Sequence, residues 1–111
     1  MTSETNEADQ VQAKLEADIQ LAWQGLLAQE AGRLIVWSIL EKCHLFETTY
    51  TGNAASNFLE GERSIGLKIL QDYVLPAGMT KFTKILEEAE EREARIARAL
   101  EEEDKDETPD T

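Results

Sequence analysis

A single cysteine, two prolines and no long apolar run already exclude a good deal for this chain of 111 residues. The lone Cys43 rules out an intrachain disulfide, so a reducing compartment or a virion interior suits it. The longest apolar run, Leu34 to Trp37, falls far short of a bilayer span. The first residues are rich in Ser, Glu and Asn and carry no apolar segment, so no signal peptide is expected. Basic residues are scarce: 11 Lys and Arg stand against 23 Asp and Glu, for a net charge of −12. Without clustered bases, neither direct binding to nucleic-acid phosphates nor attachment to an anionic membrane surface is expected. A phosphate-cradling glycine loop, zinc-ligand spacing, an EF-hand loop and a serine elbow are all missing. No cofactor, no metal site and no catalytic residue is therefore expected.

The negative charge is segregated. Residues 1–18 hold five acids and one base, residues 87–111 hold twelve acids and four bases, and residues 19–86 are neutral with six of each. A neutral middle between acidic ends is the pattern of a small packed unit with solvated extensions, in which the surplus charge serves solubility. Residues 1–8 and 104–111 are polar, acidic and without apolar periodicity, so both ends are expected to be disordered. Residues 9–103 remain as one domain.

Periodicity predicts an all-α fold, a small bundle of about four helices with a long acidic C-terminal helix. The first runs from about 9 to 29, capped by Asp9 or Asn6, with Val11, Leu15, Ile19, Ala22, Trp23, Leu26 and Leu27 on one face. Gly25 lies off that face. The second, 30–43, has a wide apolar arc of Ile35, Val36, Trp37, Ile39, Leu40 and Cys43, with Arg33 inside it. A loop follows, in which Thr51-Gly52-Asn53 is turn chemistry and Asn53 a candidate cap. The third helix, 54–74, presents Leu59, Ile65, Ile69, Leu70, Tyr73 and Val74, with Gly66 central and Glu62 and Arg63 on the same face. Pro76 then ends it and opens a fourth helix, 76–103. This last helix has a narrow stripe of Met79, Phe82, Ile85, Leu86, Ala89, Ile96 and Leu100, interrupted by Glu93. Glu88–Arg92 and Glu91–Arg95 are favourably ordered i,i+4 pairs along it. No β-alternation competes.

Charges on an apolar helix face have to be paired, because an isolated buried ion costs several kcal/mol. Arg33, Glu62 and Arg63 are accordingly expected to form a charged layer between the second and third helices, with Arg33–Glu62 in contact and Gly66 permitting close approach. A carboxylate or partner-binding site is the alternative reading of the same residues. Adjacent Cys43 and His44 do not make a nucleophile–base pair, since neighbouring helical side chains diverge by about 100°. His44 instead suits the carbonyl end of its helix. An enzyme would need a reactive cluster drawn from Glu60, Glu62, His44 and Tyr50. The acids from Glu87 to Glu93 and the run Glu101-Glu102-Glu103-Asp104 read as solvated charge.

Gly32-Arg33, Trp37, Leu40 and Cys43, followed by Phe58, Glu60-Gly61-Glu62-Arg63, Gly66-Leu67 and Leu70, resemble in order and spacing a family of small tailed-phage proteins. That family is typified by a protein of a Bordetella podophage, and the resemblance covers roughly residues 30–86. The family commonly places a turn-like pair such as Thr-Pro before Gly-Arg; here Glu30-Ala31 would allow a continuous helix across the junction. The resemblance implies phage origin, a setting in the virion or the host cytoplasm, and no catalytic residues. It marks Gly32, Arg33, Trp37, Phe58, Glu60, Gly61, Glu62, Arg63 and Gly66 as structural motif positions. The expected role is a non-catalytic virion-associated or morphogenesis protein that contacts phage structural or assembly proteins, with self-association through the C-terminal helix a further option. The competing reading is an acidic DNA mimic that inhibits a host DNA-binding protein.

Overall fold

Four helices build the molecule in the computed structural model, which describes residues 3–46 and 54–107. They are α1 (Ser3–Leu27), α2 (Glu30–Lys42), α3 (Ala54–Ile69) and α4 (Met79–Glu107). There is no strand among the described residues, so the all-α fold read from periodicity is the fold observed. The segment 47–53, with Tyr50, Gly52 and Asn53, lies outside the described residues.

The outer helices reach further than the apolar pattern predicts. α1 begins at Ser3 rather than near Asp9, and α4 continues to Glu107, past the predicted end at Glu103. Glu, Lys, Arg and Ala are good helix formers and extend an established helix one hydrogen bond at a time, with no apolar face required. The predicted disorder of 1–8 and 104–111 is corrected to that extent: Ser3 to Ala8 and Asp104 to Glu107 are helical.

α1 and α2 form a tight hairpin linked by Ala28 and Gln29. Gln29 is extended (φ −114°, ψ 144°), so the helix breaks here and is not continuous across the junction. Gly32 is buried in the turn: a Cβ placed on it would lie 1.9 Å from the Leu26 carbonyl oxygen. Only glycine lets the two helices close at that distance.

α2 ends in a Schellman motif. Leu45 N–H donates to Leu40 O (3.3 Å), His44 N–H donates to Glu41 O (3.0 Å), and His44 takes the left-handed conformation at φ 58°. The motif folds buried Leu45 back onto Leu40, closing one end of the core.

Pro76 does not stop α3 where expected. The helix passes through a π-helical segment (Leu70–Val74) and one further turn (Leu75–Ala77), and breaks only at Gly78, whose φ is 131°. Pro76 has no N–H to offer the Asp72 carbonyl four residues back. The Gln20 side-chain amide of α1 donates to that oxygen instead, at 2.9 Å. Widening the helix accommodates the proline, and the carbonyl is recruited for a contact between helices.

Leu27, Val36, Leu40, Leu45, Val74 and Ile85 make the core, with Trp23, Trp37, Leu67, Ile69, Leu70, Ala77 and Phe82 packed around it. Trp23 stacks on Tyr73 with ring centroids 5.0 Å apart, fixing α1 against the π-helical segment. Yet the molecule is long: its radius of gyration is 20.7 Å and its extents are 87 × 39 × 18 Å. A compact chain of this length would have a radius near ~13 Å. The excess comes from the first half of α1 and the second half of α4, which project beyond the core. Val11 is 70% exposed, Ile96 59% and Leu100 57%.

Candidate functional site

Arg33 is paired as the sequence demands, with a different partner. Its Nε donates to Glu88 Oε1 of α4, and its Nη1 donates to the Leu27 carbonyl at the end of α1 (3.0 Å). The two side chains are 11% and 17% exposed, so this ion pair ties α1, α2 and α4 together near the core. The expected Arg33–Glu62 contact is not formed, for a reason of helix length. α3 crosses α2 at its far end, where a Cβ on buried Gly66 would lie 2.8 Å from Cys43 Cβ. Cys43 is ten residues beyond Arg33, about 15 Å along the helix, so a carboxylate one turn before Gly66 cannot reach back. Glu62 faces His44, with Oε1 3.9 Å from Nε2. Nor does Glu88 pair with Arg92; it turns inward to Arg33.

The other motif positions divide into packing and surface. Trp37 and Arg63 are half-buried, whereas Phe58 is 71% exposed and Glu60 lies in solvent. A Cβ at Gly61 would meet nothing within 4 Å, and the same holds for Gly25. Neither glycine is demanded by the fold of the isolated chain. Cys43 is half-buried against Gly66, consistent with a small apolar packing role.

A concavity lies at the C-terminal end of α2. Trp37, Glu41, His44, Leu45 and Phe46 line it with Glu93 of α4, around a cavity of about 180 Å³. Trp37 and Phe46 stack with centroids 5.4 Å apart and planes 20° from parallel. Trp37 and Glu41, four residues apart, share one side of α2, and Phe46, just past the Schellman turn, stacks on Trp37. Glu93 was legible only as an interruption of the α4 stripe, and it is that interruption which places a carboxylate at the mouth. A second hollow, lined by Ala22, Trp23 and Leu26, is apolar and open.

Of the four candidates for a reactive cluster, His44 and Glu62 meet, Glu60 points to solvent and Tyr50 lies outside the described residues. Among the described residues there is no group of three or more His, Cys, Asp or Glu able to hold a metal ion. No described helix is long and apolar enough to cross a membrane. What the arrangement offers is a rigid small core, two projecting half-helices with apolar residues in water, and one aromatic, acid-lined cavity between α2 and α4.

A scan of protein families matches residues 23–98 to the Bbp19-like phage proteins, about two thirds of the chain, and the chain belongs to that family. The matched region spans the packed unit, and Val11 and Leu100 both lie outside it. No curated protein and no solved structure matches the chain significantly.

Proposed function

We propose that this member of the Bbp19-like phage proteins is a non-catalytic virion-associated or morphogenesis factor, acting through helix-mediated contacts with phage structural or assembly proteins. The observation that carries this reading is the α4 stripe. Ile85 and Ala89 are buried in the core, and Ile96 and Leu100 continue the same helix face into solvent. A helix that keeps one side apolar beyond its own core lays that side into a partner's groove or against a partner helix. Family membership supplies the phage setting, and the location that goes with this reading is the virion or the host cytoplasm. A second copy of the chain joined through α4 is one partner such a stripe accepts.

The test is mass spectrometry of purified virions and of isolated assembly intermediates. The protein is expected in one or the other at a reproducible copy number, and absence from both would sink the proposal. One observation keeps the DNA-mimic reading alive. Because α4 stays helical to Glu107, Glu101, Glu102, Glu103 and Asp104 stand on a rod rather than a loose tail. Against it, Arg92, Arg95 and Arg98 interrupt the carboxylates just before, whereas a mimic needs an unbroken acidic face. Capture of a host DNA-binding protein, together with absence from virions, would decide for the mimic.

A further inference from the structure

We propose that the cavity between α2 and α4 is a receptor for one arginine side chain of a partner polypeptide. Three features of the cavity converge on that chemistry, and none depends on where in the phage cycle the protein acts. The first is the aromatic wall: Phe46 stacks on half-buried Trp37 and is itself 51% exposed, so the pair presents an open aromatic surface. A planar cation stacks on an indole face by quadrupole attraction, and arginine does so more readily than lysine because its guanidinium is flat and weakly hydrated. The second is the charge. Glu41 comes from α2 and Glu93 from α4, so two carboxylates approach the aromatic wall from separate helices. Among the described residues neither carboxylate is in an ion pair, whereas Asp18 and Glu88 are paired with Lys14 and Arg33. The third is size: the half-open hollow has about 180 Å³ of free space, room for a planar guanidinium.

The location fits a protein ligand rather than a free one. Glu93 lies on α4 one turn before exposed Ile96, so a chain seated on Ile96 and Leu100 has its next anchoring position over the cavity. The partner segment would present apolar residues to α4 and an arginine to Trp37, Glu41 and Glu93. An arginine anchor that becomes covered when a partner seats, flanked by near-neutral apolar contacts, is where binding energy concentrates in protein interfaces.

The experiment uses the full chain labelled with nitrogen-15 and titrated with Nα-acetyl-arginine amide, reading the two tryptophan indole N–H signals. Trp37 reports the cavity, and Trp23, stacked on Tyr73 elsewhere, is the internal control. A saturable shift of the Trp37 signal with Trp23 unmoved is expected. The uncharged citrulline analogue, and the variants Glu41→Gln and Glu93→Gln, should each bind about fivefold more weakly or worse. Both substituted positions are exposed on helices, so the variants should fold, and unchanged backbone amide signals would confirm it. Shifts that fail to saturate, that move Trp23 equally, or that are the same for arginine and citrulline would overturn the proposal.

Discussion

Replacing Glu88 with alanine removes the carboxylate that neutralises the mostly buried Arg33. Removing one member of a buried ion pair leaves the other charge uncompensated and typically costs about 3–5 kcal/mol. Arg33 retains 11% exposure and its bond to the Leu27 carbonyl, so it keeps some solvation and one acceptor. We therefore expect Glu88→Ala to lie at the lower end of that range, about 3 kcal/mol. Glu88→Gln leaves an acceptor for Arg33 Nε while losing the charge, and should cost about 1–2 kcal/mol. The double variant Arg33→Met, Glu88→Leu removes both desolvation penalties at once and should be more stable than Glu88→Ala alone. Urea unfolding followed by far-ultraviolet circular dichroism, at constant m-value, reads all three. Glu62→Ala is the control. Its partner His44 is 3.9 Å away and both side chains are about a third exposed, so the loss should stay within about 1 kcal/mol. Equal small losses for Glu88→Ala and Glu62→Ala would refute the assignment of the structural ion pair to α2 and α4.

Three further substitutions test the backbone geometry. Gly32→Ala forces a Cβ into the Leu26 carbonyl and should cost about 3 kcal/mol, lowering the thermal midpoint by more than ~10 °C; an unchanged midpoint would mean the hairpin is not closed there. Gly25→Ala meets open space in a helix and should add about 0.8–1 kcal/mol, so a destabilised variant in urea would show that something packs on that face. His44→Gly relieves a non-glycine residue at φ 58° and should be about 0.5–1 kcal/mol more stable than His44→Ala, which loses the same side-chain contacts, in the same unfolding curves.

The helices were legible because their signals are local. The apolar spacing of α2 puts its bounds within one residue of those observed. Longer-range features were not. Pro76 biases its predecessor away from helical angles, which reads locally as a stop. It is tolerated because Gln20, fifty-two positions earlier, accepts responsibility for the Asp72 carbonyl, and no window of sequence contains both residues. The reach of α1 and α4 was misjudged for the opposite reason: apolar periodicity marks where a helix packs, not where it ends, and Glu-rich turns propagate without packing.

Arg33 and Glu93 show how far a misplaced charge can be read. Each interrupts an apolar stripe, and each therefore had to be neutralised, solvated or functional. For Arg33, burial was the correct inference, but the face of a helix does not say which neighbour it meets; that depends on where α3 and α4 cross α2. Gly66 locates the α3 crossing at Cys43, a full ten residues from Arg33, and so assigns the pairing to α4. Glu93 is the converse. Taken with its neighbours in sequence it is one acid among five between Glu87 and Glu93, indistinguishable from a solvated run. Taken with Trp37, Glu41 and Phe46 it becomes the second carboxylate of an unneutralised aromatic cavity. The same stripe that fails to reach the core after Ala89 thus gains a reason for its interruption: a helix built only to pack would carry an apolar residue at that position, and a helix built to receive a basic partner would carry a carboxylate.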